Sequence, residues 1–133
     1  ADGKKVEKCS VCNNVITDIL LQVNVSGEES KHGFAPEEMK AVIDKVGALD
    51  GVRMHGLMTM APIQEYEGQA RGVFADTYKL FDSLRADVPD SSCWNVLSMG
   101  MSQDYRDAIM EGATHIRVGT ALFGNRAAYL GNA

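Results

Sequence analysis

Two rhythms of apolar residues alternate along the chain. Asp18-Ile19-Leu20-Leu21-Gln22-Val23-Asn24-Val25 is a short, mostly apolar run rich in branched side chains, and the polar stretch Ser26 to Gly33 follows it. That pattern predicts a nearly fully buried strand with a loop after it. Pro36-Glu37-Glu38 suits a first helical turn, and Met39, Val42, Ile43, Val46 and Leu49 then recur at three- and four-residue spacing until Asp50-Gly51. This is one face of an amphipathic helix. Val52 to Met60 predicts a second strand, ended by Ala61-Pro62, and Gln69 to Leu84 a second helix with Val73, Phe74, Thr77, Leu80, Phe81 and Leu84 on one face. Trp94 to Ser98 reads as a third strand. Ser102 is placed to cap a helix running to Glu111, with Gly112 just beyond its end. Thr114 to Val118 reads as a fourth strand, with Gly119 to Gly124 as the turn after it.

Strands that alternate with helical segments, with no hairpin signals between them, indicate an α/β protein with a parallel sheet. A closed (β/α)8 barrel takes about 250 residues. Four units in 133 residues therefore read as half of such a barrel. Residues 1–133 form a single partial barrel domain, with 1–16 a polar lead-in and 17–133 the strand-helix units. All strands should run parallel, and an uncovered interior should be closed by self-association, by pairing with a missing amino-terminal half or by the chain's own amino-terminal residues.

Composition narrows the function classes. Thirteen Lys and Arg against eighteen Asp and Glu leave a net charge of −5, so the whole surface offers nothing cationic to nucleic acid or anionic lipid. Any anion must be held locally. No apolar run approaches the roughly 20 residues of a membrane span, and the charged start Ala1 to Lys8 leads into no secretory apolar region, which points to a cytoplasmic protein. Three cysteines are an odd count, and Cys9-x-x-Cys12 has no second pair at zinc-finger spacing, so reduced thiols and no metal are expected. Asn24-Val25-Ser26 spells a glycosylation acceptor but stands without a signal peptide.

Two loops carry the most chemistry: Ser98-Met99-Gly100-Met101-Ser102 and Gly119-Thr120-Ala121-Leu122-Phe123-Gly124. Each follows a buried strand, so they should lie side by side on one rim. Glycines admit an anion close to the backbone, and the hydroxyls of Ser98, Ser102 and Thr120 can donate to it. The amides opening the helix after Met101 add a positive dipole end, so the loops could form a phosphate cradle. The same spellings also occur as plain turns. Arg117 sits between Ile116 and Val118 in an apolar strand and needs an acceptor, either a ligand or a neighbouring carboxylate. Met58 and Met60 face one way on the second strand and Leu57 and Thr59 the other. His32, His55 and His115 share no metal-ligand spacing and read as surface or hydrogen-bonded residues.

The segments Leu20 to Glu28, Ser30-Lys31-His32-Gly33, Gly56 to Met60, Leu97-Ser98-Met99-Gly100-Met101-Ser102-x-Asp104 and Ile116 to Gly124 resemble, in order and spacing, the pyridoxal-phosphate homeostasis protein family, the YggS/PROSC type. The resemblance covers about Asp18 to Gly124. It implies the (β/α)8 barrel of the alanine racemase amino-terminal domain, of which about the last four strand-helix units are present, and binding of pyridoxal 5′-phosphate (PLP).

Carried over residue by residue, the resemblance assigns cofactor binding to Ser98, Gly100, Met101, Arg117, Gly119 and Thr120, with weaker grounds for Asn24 and Met58. It implies no catalytic set here, but a cofactor carrier or regulator. The family's Schiff-base lysine lies on the first barrel strand, ahead of this chain's start. Lys4, Lys5, Lys8, Lys40, Lys45 and Lys79 lie in the polar start or on helices, and Lys31 lies in a loop. PLP should therefore be held non-covalently at most, and a phosphate or sulfate ion could occupy the same loops. The alternatives are a fragment of a PLP-dependent racemase or decarboxylase of the same fold, a phosphosugar-binding half barrel, and a thiol or zinc module built on Cys9 and Cys12.

Overall fold

The structure, a computed structural model, describes residues 12–29 and 32–124. Strand β1 (Thr17–Gln22) is followed by a 3-10 turn (Pro36–Glu38) that runs into helix α1 (Met39–Gly47). Then come β2 (Val52–Met58), α2 (Gln69–Leu84), β3 (Val96–Ser98), α3 (Tyr105–Met110) and the single-turn α4 (Thr120–Phe123). The three strands form one parallel sheet in the order β1-β2-β3. Successive strands are neighbours joined through helices, as a curling strand-helix repeat requires.

One face of the sheet is covered by helices, and among the described residues nothing covers the other. Leu21, Val23, Met54, Leu57, Thr59, Leu97 and Met99 are buried, along with Met39 and Ile43 of α1 and Ala70, Phe74, Thr77, Phe81 and Leu84 of α2. The helical faces expected from three- and four-residue spacing are thus the buried ones. Trp94 anchors the floor of this layer: its indole stacks on Phe81 with centroids 5.5 Å apart. Its Nε1–H donates to the Phe81 carbonyl at 2.8 Å, so the polar edge is satisfied where the rings are dry. Alternate strand residues, Asp18, Leu20, His55, Val96 and Ser98, point to the opposite face, where a barrel interior would be.

Between β1 and β2 the register shifts by one: Ile19 pairs with Met54 and Leu20 with Gly56, leaving His55 as an extra residue. This β-bulge turns His55 toward Asp18, whose Oδ1 lies 2.7 Å from His55 Nε2. Gly56, at φ +153°, passes so close to β3 that a Cβ would stand 1.6 Å from the Val96 carbonyl oxygen. Only glycine fits there.

Three strands are present among the described residues where the sequence pattern predicts four. Thr114 to Val118 is an extended segment that touches the sheet through one parallel bridge, Ser98 with His115. Its bonds all run to one side: Thr114 and His115 N–H donate to the Leu97 carbonyl, and Arg117 N–H to Gly100. With β3 only three residues long and nothing pairing its far side among the described residues, the segment lacks the ladder that would regularise it. Strand boundaries also contract. Val23 leaves the first strand to bridge Phe34, the second ends at Met58 rather than Met60, and Trp94 belongs to a turn in which its N–H donates to Ser91. Ser102 is not the cap of α3. Asp104 holds that position, its Oδ1 accepting from Met101 N–H at 2.7 Å.

Candidate functional site

The rim at the carboxyl ends of the strands brings together the loop after β3 and the loop after the Thr114–Val118 segment. Gly100 makes the first turn at φ +101°, where a Cβ would press within 2.6 Å of Ala108 Cβ and 3.1 Å of Tyr105 Cα. This tight passage lets the Gly100 carbonyl accept from Arg117 N–H at 2.9 Å, which ties the two loops together. A second tie crosses between them. Ser102 Oγ accepts from the N–H groups of Gly119 and Ala121 at 3.1 and 3.0 Å, holding the amides that open α4.

Arg117 enters from beneath this junction. One of its terminal nitrogens donates to the Thr59 carbonyl at 2.8 Å, while its buried Nε has no partner among the described residues. Burial lowers its pKa, and the Asp104 carboxylate opposes that shift. Asp104 itself is raised by burial, against the Met101 amide that stabilises its charge. A cation and an anion thus sit under the rim with incomplete solvation.

Gly100, Arg117, Gly119 and Thr120 therefore gather at one place, and Thr120 is exposed there. Met101 is adjacent, but its N–H is engaged by Asp104 and its carbonyl accepts from the Asp104 and Tyr105 amides, which leaves its side chain. Ser98 is buried at the end of β3 and lines the open inner hollow of about 390 Å³ with Leu20, His55, Val96 and His115. Asn24 organises its own loop: its Oδ1 accepts from the Gly27 amide and the Ser26 hydroxyl, and its Nδ2 donates to the Glu28 carbonyl. Met58 and Met60 are half-buried while Leu57 and Thr59 are fully buried, as strand alternation requires.

Sequence reasoning missed the Ser102 contact, reading that hydroxyl as a helix cap. The motif Ser102-x-Asp104 held the clue, since two capping side chains stand where one helix start needs one. Of the thiols, Cys12 is exposed and Cys93 half-buried, both unbonded to other cysteines, and Cys9 lies outside the described residues. Lys4, Lys5, Lys8 and Lys31 also lie outside them. Among the described residues no cluster of His, Cys, Asp and Glu could hold a metal, and no helix is long and apolar enough to cross a membrane.

A parallel strand-helix repeat with its loops gathered at the carboxyl rim defines the α/β-barrel class of fold, here in part. The chain belongs to the family described as alanine racemase, N-terminal domain, whose model matches residues 2–127. It is 40% identical over 126 residues to the pyridoxal phosphate homeostasis protein of Aquifex aeolicus, covering 92% of this chain and 53% of that protein. The chain spans about half the length of the curated relatives it matches. A solved structure of PipY from Synechococcus elongatus with PLP bound superposes with a TM-score of 0.79 at 30% identity, covering 91% of this chain and 55% of that one. The alanine racemase of Clostridium difficile in complex with cycloserine shares the fold, with a TM-score of 0.72 at 19% identity over 92% of this chain and 33% of that one.

Proposed function

We propose that this chain is a PLP-binding module of a cofactor-homeostasis protein, holding the cofactor by its phosphate at the rim between Gly100 and Gly119. The observation that carries the reading is the joined pair of loops with the orphaned Arg117 Nε beneath them. The residues fit the group: a Cβ on Gly119 would meet nothing within 4 Å, so the backbone there is open to a ligand. Thr120 supplies its exposed hydroxyl and Ser102 a hydroxyl whose own hydrogen is uncommitted to the amides it accepts from, while Gly119 leaves the backbone uncovered and Gly100 makes the turn that brings the two loops together. Ser98 and the Met101 side chain line the approach from the inner side, and Arg117 offers its unpartnered Nε–H.

When bound, PLP supplies an aldehyde and an electron-poor pyridine ring. This chain's part is to fix the phosphate and to place a guanidinium beside the ring. Among the described residues Lys40 and Lys45 on α1 and Lys79 on α2 lie on the helical layer, and the binding proposed for this chain is reversible and non-covalent. Inorganic phosphate or sulfate takes the same loops. A carrier is favoured over a racemase because the similarity runs to 40% identity with a homeostasis protein against 19% with the racemase.

The test is a PLP titration followed by borohydride treatment and peptide mass mapping. Weak binding is expected, competed by inorganic phosphate and weakened about tenfold or more by Arg117→Ala or Gly119→Val, with no stoichiometric lysine label. Binding indifferent to phosphate and to both substitutions, or quantitative labelling of one lysine such as Lys31, would refute the assignment.

A further inference from the structure

Asp104 is the one buried carboxylate among the described residues, and the phosphate reading gives it no task. It sits at the junction of the two loops. The peptide unit between Gly100 and Met101 is held at both ends: its carbonyl accepts from Arg117 N–H at 2.9 Å, and its N–H donates to Asp104 Oδ1 at 2.7 Å. Asp104 also shares the wall of a cavity of about 400 Å³ with Ala121 and with Ser102, whose Oγ collects the Gly119 and Ala121 amides. A helix start does not require this charge. Ser, Thr or Asn would cap α3 as neutral residues, whereas a carboxylate buried here carries a desolvation penalty.

The charged groups around Asp104 are few. Arg117, from the Thr114–Val118 segment, and Asp107, further along α3, act on it in opposite senses. Asp107 in turn acts on Arg71 of α2, whose Nε donates to Glu111 at 2.6 Å. Arg106 lies over the Tyr105 ring, and α4 carries no titratable residue. His115 lines the inner hollow with Ser98.

We propose, building on the phosphate reading of the two loops, that Asp104 couples anion binding at the rim to the uptake of one proton. While ionised, Asp104 offsets the charge of Arg117. Once protonated, it leaves that guanidinium uncompensated, and an anion at the rim binds more tightly. By linkage the bound anion draws a proton onto Asp104 in the same measure. The Met101 N–H keeps an acceptor in both states, because a protonated carboxyl still presents its carbonyl oxygen, so the turn stays in place while the charge changes. Burial, which holds this carboxyl above its ordinary range, brings the exchange nearer neutral pH. Asp104 is thus a positioning residue, acting on the ligand through Met101 and Arg117.

Calorimetric titration of the 133-residue chain with sulfate tests this, since sulfate stays a dianion throughout and adds no titration of its own. Affinity should rise about fivefold between about pH 7.5 and about pH 4.5. At about pH 5, below the ordinary histidine range, titrations in buffers of different ionisation enthalpy should reveal net proton uptake on binding. Asp104→Asn should bind at the higher pH as tightly as the wild type does in acid, and should take up no proton at the lower one. The histidines titrate in both proteins and drop out of the difference. An Asn variant that binds sulfate with the wild-type pH profile overturns the proposal and leaves the cradle standing, as does wild-type binding that weakens in acid. The wild-type measurement decides even if the variant does not fold: binding at about pH 5 with no proton uptake overturns the coupling. No binding of sulfate or phosphate at any pH overturns the cradle, and this inference with it.

Discussion

Asp104 is a carboxylate held almost out of water, 4% exposed, at the start of α3. Burial raises its pKa, Asp107 adds to the shift, and the Met101 amide and Arg117 act against it. A carboxyl group whose folded pKa lies above its unfolded value stabilises the fold while protonated, and that contribution is lost as pH rises through the raised value. Asp104→Asn keeps an oxygen acceptor for the Met101 amide and never ionises. Its stability relative to wild type should therefore be greater at about pH 7 than at about pH 4, near the ordinary carboxylate pKa. Urea unfolding at the two pH values measures this, and a gap that does not change with pH would mean the carboxylate is fully solvated. Asp104→Ala, which never ionises either, should show the same trend with pH and lose in addition the acceptor of the Met101 amide, about 1 kcal/mol.

Among the elements, α4 has the least to hold it, with four residues and none buried. Its opening amides are retained by Ser102 Oγ, contributed from the neighbouring loop. Ser102→Ala should free the Gly119 and Ala121 amides and cost about 1 kcal/mol locally. The signature is faster exchange at those two amides with α2 protection unchanged, and equal exchange in both proteins would show that the turn holds itself. The long elements were legible in the sequence because their signals are local. Met39, Ile43, Phe74 and Phe81 mark buried helical faces by spacing alone. The Thr114–Val118 segment misled because its branched residues meet a strand's local preferences while a strand also needs partners on its flanks, which spacing does not encode. His55 was illegible as a bulge for a similar reason, since the extra residue shows only when Ile19 and Leu20 find their partners across the sheet.

At the scale of the molecule, the parallel order, the half-barrel reading and the meeting of the Ser98 and Gly119 loops on one rim all followed from alternation and length. The particular donors did not. Which amides lie open and which are taken, as Met101 N–H is by Asp104, depends on how the Gly100 turn packs on Ala108 and Tyr105. With a net charge of −5, anion binding has to come from such local arrangement rather than from the general field.

The bulge at His55 makes the chain tolerant of one particular shortening. Leu57 and Met54 both point to the helical layer, although an uninterrupted strand would send residues three apart to opposite faces. Removing His55 leaves Met54 next to Gly56, so every remaining side chain of β2 keeps its face and the ladder with β1 becomes continuous. Deleting Leu57 instead would turn Val52–Met54 inside out. A chain lacking His55 should therefore fold, losing the contact to Asp18 and the carbonyl that accepts from Asn95 N–H, whereas one lacking Leu57 should not. Circular dichroism and urea titration of the two deletions would show it, and failure of both would mean that β2 counts every residue.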